Sequence, residues 1–183
     1  RPARKILPGR SPGDAVAMVS LLFAICGRSQ GVAAAAATDA ALAHEPSAEL
    51  ISARERRIVA ETAHEHFWRV LVDWPRLAFR EPETTPMGAV RKALVPWLDA
   101  AEDGAAMPLA EIAAVAKQFV FGRDAGEWLS IATLDELAAW WRSGNTPVAR
   151  VVADLMLAGP SLGRSDVPLL APIEETALLR VLE

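Results

Sequence analysis

The sequence predicts an all-α protein, and three observations favour this fold class. Apolar residues recur at helical spacing in several segments, proline and glycine mark the turns between them, and no run of alternating polar and apolar residues indicates a strand. The chain has 183 residues, of which 52% are hydrophobic and 23% charged, enough for a sizeable core. We therefore expect one helical domain over residues 1–183.

The first helix is expected to begin after Ser11, which has the residue type of an N-cap and precedes a proline at the first helical position. The apolar run over residues 15–25 is too continuous for a surface helix, so we expect this helix to be buried on nearly all sides. Gly27 is expected to bend it. The helix then resumes over about residues 30–43, where alanine gives high helix propensity.

The middle of the chain predicts three more helices, over residues 48–73, 87–101 and 108–121, with a connector between the first two that ends at Pro86 and a loop over residues 122–128. Glu61 and Glu65 share one face of the first of these helices. Charged neighbours such as Arg57 accompany them, so we interpret this face as solvated. It carries no acid–base pair that predicts a catalytic site.

Two further helices have clear signals at both ends. Thr133 and Glu136 have the spacing of a capping box, and Gly144 ends that helix. We expect one of the adjacent Trp140 and Trp141 in the core and the other against another element or a partner. The second helix repeats these signals with Thr146 as its cap, Pro147 at its first position and Gly159 as its stop.

Both ends of the sequence are typical of a piece of a longer chain. The first residue is Arg1 rather than methionine. After an extended piece over residues 167–170, the sequence ends within a predicted helix near Glu174.

Composition and charge exclude several classes of partner. The net charge is −4 and no basic block is present, so we expect no nucleic-acid binding. The longest uncharged apolar stretch, over residues 15–27, is too short to cross a bilayer and lacks a signal-peptide layout. A single cysteine excludes an internal disulfide and fits a reducing compartment. We therefore expect a cytoplasmic protein that is not bound to a membrane.

That cysteine, Cys26, lies in the segment "AICGRSQGVAAAA". A lone cysteine in an apolar helix is usually a small buried hydrophobe. A structural zinc site needs four ligands, usually in close pairs, and His44, His64 and His66 form no such pair with Cys26 by spacing. His64 and His66 are two residues apart on a helix, so they point in different directions. We therefore predict no stable metal site and no catalytic residue.

Two segments resemble a known family. "ICGRSQ" and "HEHFWRVLVDWPRLAF" are similar, in this order, to segments of the large-subunit-like accessory proteins of the HupK/HoxV type, which are encoded with uptake hydrogenases. The first also resembles the N-terminal R-x-C-G-x-C-x-x-x-H segment of nickel–iron hydrogenase large subunits. Cys26 and Gly27 match its first Cys-Gly, whereas Ala24, Ser29 and Ala33 stand where it has Arg, Cys and His. The two segments cover less than a quarter of the chain.

The resemblance implies a helical bundle like part of the hydrogenase large subunit, without its activity. The true large subunit binds nickel and iron through two C-x-x-C pairs, and a soft thiolate bridges the metals. Ser29 has a hard hydroxyl oxygen that stays protonated, and the chain contains one cysteine in all. These residues cannot build a four-thiolate site, so we expect no hydrogen-splitting enzyme.

What the resemblance implies instead is a non-catalytic assembly factor for nickel–iron hydrogenase. Cys26 would be one transient thiolate ligand to the iron that carries cyanide and carbonyl ligands, with no tightly bound cofactor. The implied partners are other hydrogenase accessory proteins and the hydrogenase large subunit.

Two alternatives stay open. The first is a degenerate large-subunit-like protein with a structural or partner-binding role, in which Cys26 is simply buried. The second is an enzyme or small-molecule binder outside this family, because alanine-rich helical sequences resemble one another easily.

Overall fold

The computed structural model describes residues 3–99 and 107–159, together with Arg164 and Asp166. Within these residues the secondary structure is helical and no strand occurs, which confirms the all-α prediction. The extended piece expected over residues 167–170 and the helix expected near Glu174 lie outside the described residues. No helix of the described part is long and apolar enough to span a membrane.

Ten α-helices follow one another in the described part, and two of them continue into π-helical segments. Their bounds are α1 (Ala3–Ile6), α2 (Pro12–Leu22), α3 (Gly27–Ala41), α4 (Ala48–Trp68) with the π-segment Arg69–Asp73, α5 (Trp74–Leu77), α6 (Thr84–Asp99), α7 (Leu109–Val115) with the π-segment Ala116–Phe121, α8 (Ala125–Leu129), α9 (Leu134–Ser143) and α10 (Pro147–Leu157).

The predicted helix caps are confirmed. The Ser11 hydroxyl accepts a hydrogen bond from the backbone N–H of the third residue of α2 at 3.2 Å. Thr133 and Glu136 form a reciprocal capping box, and the φ of +60° at Gly144 ends α9 in the left-handed region. Thr146 caps α10 in the same way as Ser11 caps α2. These local hydrogen bonds satisfy backbone groups that the first helical turn leaves unpaired.

The core lies between α4, α6, α9, α10 and the π-segments. Its buried members are apolar residues: Ala60, Leu71, Val72, Met87, Val90, Leu94, Leu98, Val120, Trp140, Val148 and Ala149. Trp140 is the buried member of the tryptophan pair, and its indole Nε1–H donates to the Phe121 carbonyl at 2.8 Å. Trp141 is half-buried and packs against the same cluster. The prediction that one of the two indoles lies in the core is confirmed by Trp140.

Helix α2 is not buried on nearly all sides, and that expectation is wrong. None of its residues is buried, and Leu21 is 80% exposed. The helix packs chiefly against α3. A single neighbouring helix can cover only one side of α2. The apolar run indicates that the segment is hydrophobic, but it does not say how many helices surround it.

Gly27 begins a new helix instead of bending the first one. The chain leaves α2 at Phe23, turns, and enters α3 directly after Cys26. A Cβ on Gly27 would lie 2.5 Å from the Ser20 carbonyl oxygen, and one on Gly31 would lie 2.1 Å from the Ser20 Oγ. The absence of side chains at these two positions lets α3 cross α2 at close range and fixes the turn that carries Cys26.

Two short helices replace predicted irregular segments. The connector expected after residue 73 is wrong at its start, because the long helix runs on through the π-segment Arg69–Asp73 into α5. Pro75 has no N–H to donate to the Leu71 carbonyl four residues earlier, and that carbonyl instead accepts the Glu83 N–H at 2.8 Å. The loop expected over residues 122–128 contains most of α8. Helices of four or five residues are too short to display a periodic apolar pattern.

Candidate functional site

Cys26 lies at the junction of α2 and α3, where it is the N-cap residue of α3. It is a free cysteine and is half-buried. Its carbonyl accepts the first intrahelical hydrogen bond, from the Gln30 N–H at 2.9 Å, but its side chain makes no capping hydrogen bond. The first turn of α3 therefore needs an acceptor from elsewhere in the molecule.

Glu61 of α4 supplies that acceptor. Its Oε1 accepts the Arg28 N–H at 2.9 Å, and its Oε2 accepts the Ser29 N–H at 2.8 Å and the Ser29 hydroxyl. Glu61 is only 6% exposed, so the expectation of a solvated face is wrong at this residue. Glu65 fits that expectation better, because its side chain is 28% exposed and lies 3.4 Å from the His64 Nδ1.

The geometry of this contact matches the polarity of a helix start. The N–H groups in the first turn of a helix carry partial positive charge, and a carboxylate that accepts them is stabilised there. Three hydrogen bonds also satisfy a carboxylate that has little water around it. Glu61 therefore caps α3 from another helix. The same hydrogen bonds explain why a charged group is tolerated in this interface.

A second contact ties the same turn to α6. The Arg28 Nε–H donates to the backbone carbonyl of Leu98 at 3.0 Å. Together with the close approach of Gly27 to Ser20, this surrounds the residues after Cys26 with α2, α4 and α6. The backbone that carries Cys26 is consequently held by three separate helices.

A cleft of about 660 Å³ opens beside this turn. Among the described residues that line it are Ile25 and Gly27, the two neighbours of Cys26, whereas Cys26 is not one of them. Further lining residues come from the end of α2, from α4 and from α6: Phe23, His64, Arg91 and Val95. The cleft therefore adjoins the cysteine without being a pocket for its thiol.

The histidines do not join Cys26 in a metal site. Within the described residues no group of three or more His, Cys, Asp or Glu side chains is placed to hold a metal ion. His44 lies past the far end of α3, where its Nδ1 is 3.0 Å from the Asp39 Oδ1. His64 stacks on Trp68, and His66 is exposed. In the described part of the chain Cys26 can thus offer one thiolate and no closed chelate.

Sequence reasoning missed Glu61, although one signal was present. Helix α3 begins after a cysteine, whose side chain is not among the residues that usually cap helices. A helix start without a local capping residue indicates that another element supplies the acceptor, and a glutamate on the following helix is a candidate for it.

Comparison with known proteins finds a curated relative that is similar along nearly the whole chain. The chain is 33% identical to the hydrogenase expression/formation protein HoxV of Cupriavidus necator, over 98% of this chain and 47% of the relative. The chain thus spans about half the length of that relative. No family model matches the chain. No solved structure matches it either. Along nearly its whole length, then, this chain is similar to a protein of hydrogenase formation, which supports the prediction of a hydrogenase accessory protein.

Proposed function

We propose that this chain belongs to a non-catalytic maturation factor for nickel–iron hydrogenase. The observation that carries the proposal is the 33% identity with a hydrogenase expression/formation protein over 98% of the chain. That similarity extends far beyond the two short segments that first pointed to the family. The partners of such a maturation factor are the hydrogenase large subunit and other accessory proteins.

The cargo in this proposal is the iron that carries cyanide and carbonyl ligands, and Cys26 is its transient ligand. Binding forms one iron–sulfur bond and releases the thiol proton to water, and transfer reverses both changes. Three observations support Cys26 in this role: it is half-buried, it has no disulfide partner, and its side chain makes no capping hydrogen bond.

A single cysteine ligand suits the delivery of the iron better than its permanent storage. Ser29 stands where hydrogenase large subunits have a second cysteine, and its hydroxyl donates to the Glu61 carboxylate. A hydroxyl held in that hydrogen bond and retaining its proton is a poor ligand for iron. One thiolate alone leaves the remaining coordination positions for the iron's own ligands and for the partner that receives it. A single protein bond is also the easiest to exchange.

A Cys26→Ala variant tests this role in a host that lacks its own copy of the gene. We expect the variant to fold, because a half-buried thiol leaves little cavity, and to support little or no hydrogenase maturation. Anaerobically purified wild-type protein should show infrared bands of iron-bound cyanide and carbon monoxide that the variant lacks. Ser130→Ala is the control, since it removes an exposed hydroxyl at the end of α8 and leaves both the thiol and the turn after Cys26 unchanged. Full maturation with Cys26→Ala would remove the cysteine from the proposal.

A purely partner-binding role is the second candidate, and the exposed apolar residues beside Cys26 favour it. Leu21, Phe23 and Ile25 are 80%, 42% and 56% exposed, and such residues suit a protein interface. In that case Cys26→Ala would support full maturation, whereas Phe23→Ser would lose both maturation and co-purification with the large subunit.

A further inference from the structure

The buried carboxylate of Glu61 has a role in this site that the sequence segments resembling hydrogenase proteins do not indicate. We propose that Glu61 is the positioning residue for Cys26: through the first turn of α3 it holds the thiol in the orientation that accepts the iron cargo. This inference rests on the proposed function, and it names a residue that acts on the cargo only through Cys26.

The hydrogen bonds place Glu61 at the right point to act on Cys26. It binds the N–H groups of Arg28 and Ser29, which are the second and third residues after Cys26. A helical turn is rigid, so fixing these two groups also fixes the N-cap residue whose carbonyl begins the same turn. Without an acceptor the first turn of α3 would fray, since the Cys26 side chain does not cap it.

Glutamate fits this position better than its amide. Its two oxygens accept three hydrogen bonds, one from Arg28 and two from Ser29. A glutamine has one oxygen and an NH2 group that only donates, so in either orientation the NH2 faces an N–H donor. Glu61→Gln therefore breaks one side of the contact at almost unchanged side-chain volume, which makes it the diagnostic variant.

The other two contacts of the turn do not cap the start of α3. Arg28 reaches a backbone carbonyl on α6, and Gly27 lies against a backbone carbonyl on α2. Neither contact binds the N–H groups of the first turn. Among the described contacts of that turn, Glu61 is thus the one whose loss frees the helix start.

The experiment compares Glu61→Gln and Glu61→Ala with Glu65→Gln as the matched control. Glu65 lies one helical turn further along α4, carries the same charge and contacts His64 and Arg69. Three quantities are measured on the whole chain: amide hydrogen exchange at Ser29, the rate of Cys26 alkylation by iodoacetamide, and the infrared intensity of iron-bound cyanide and carbon monoxide per folded protein.

We expect both Glu61 variants to exchange the Ser29 amide about tenfold faster, as the loss of a hydrogen bond to a charged group predicts. Their Cys26 alkylation rate should change several-fold, and their infrared intensity per folded protein should fall, while Glu65→Gln matches the wild type. A purely structural role would reduce the amount of folded protein and leave the intensity per folded protein unchanged.

Two outcomes separate this inference from the proposed function. If wild-type protein carries the infrared bands, Cys26→Ala lacks them and Glu61→Gln retains them fully, the positioning role of Glu61 is overturned and the function of Cys26 stands. If Cys26→Ala supports full maturation, the cysteine is not the ligand, and the inference fails because the proposed function has failed first.

Discussion

Glu61 accepts two hydrogen bonds from the single residue Ser29, one from its backbone N–H at 2.8 Å and one from its hydroxyl. By the resemblance of its segment, Ser29 is predicted to stand where hydrogenase large subunits have the second cysteine of their first pair. In this chain that position belongs to the interface between α3 and α4, and its side chain stabilises a buried carboxylate. Ser29 therefore has a defined structural role in the contact between α3 and α4.

Ser29→Ala should lower the free energy of unfolding by about 1–2 kcal/mol, because it removes one of three hydrogen bonds to a buried carboxylate and leaves the two backbone bonds in place. Chemical denaturation measures this. Ser130→Ala is the control, since it removes an exposed hydroxyl that donates to the Glu127 carbonyl, and we expect a change within about 0.5 kcal/mol. Equal losses in the two variants would show that the Ser29 hydroxyl adds nothing to the Glu61 contact.

Gly27→Ala should cost more stability than Gly31→Ala. The new Cβ at Gly27 would meet the Ser20 carbonyl oxygen at 2.5 Å, and a backbone atom cannot move without shifting α2. We expect a loss of about 2–3 kcal/mol in the free energy of unfolding. The new Cβ at Gly31 would meet only the Ser20 hydroxyl, at 2.1 Å, which can rotate at a smaller cost.

A Ser20→Ala background separates the two clashes. Without the hydroxyl, a Cβ at Gly31 would be 3.4 Å from the Ser20 Cβ, an ordinary contact, so Gly31→Ala should lose its cost and gain from the higher helix propensity of alanine. Gly27→Ala should stay destabilising, because the carbonyl is unchanged. Denaturation of the wild type, the three single variants and the two double variants completes two double-mutant cycles. Rescue of Gly27→Ala by Ser20→Ala would contradict the close backbone crossing of α2 and α3.

The elements that the sequence predicts well are those whose signals lie within a few residues. The capping box of Thr133 and Glu136 and the cap at Thr146 are hydrogen bonds between neighbours three residues apart, so the spacing alone defines them. The same holds for Gly144, whose φ of +60° favours glycine. Hydrogen bonds between near neighbours in the sequence are enough to define these features.

The contacts that the sequence does not reveal join distant residues. Glu61 lies 32 residues after Ser29, and its charged neighbours on α4 favoured a solvated face. Only the packing of α3 against α4 shows that its carboxylate is covered. Likewise, the apolar run of α2 indicates hydrophobicity without saying how many helices surround it. The likeness to the large-subunit fold, the role of Cys26 and the extent of the domain stay predictions.

Trp140→Phe should destabilise the protein by about 1–3 kcal/mol. The change leaves the Phe121 carbonyl without its 2.8 Å hydrogen bond and removes the indole edge that packs against Trp128, with ring centroids 5.5 Å apart. Trp141→Phe, at the half-buried neighbour, should cost less. The free energy of unfolding from urea denaturation measures both. A larger loss for Trp141→Phe would reverse the assignment of Trp140 as the core indole.

The ion pair at the end of α3 predicts an acid-dependent part of the stability. Arg54, whose Nη1 lies 2.7 Å from Asp39, and secondly His44 hold the pKa of Asp39 below its usual value of 3.8. Because the folded-state pKa is the lower one, the pair stabilises the fold above the unfolded pKa and loses this contribution as pH falls through the folded pKa. The difference in unfolding free energy between wild type and Asp39→Asn should therefore be largest near about pH 5 and shrink below the usual value of 3.8. Urea denaturation at a series of pH values measures it, and Arg54→Gln should remove the larger share of this acid-dependent part, while His44 keeps the remainder. If Asp39→Asn leaves the acid slope of the wild type unchanged, the pair does not stabilise the native state.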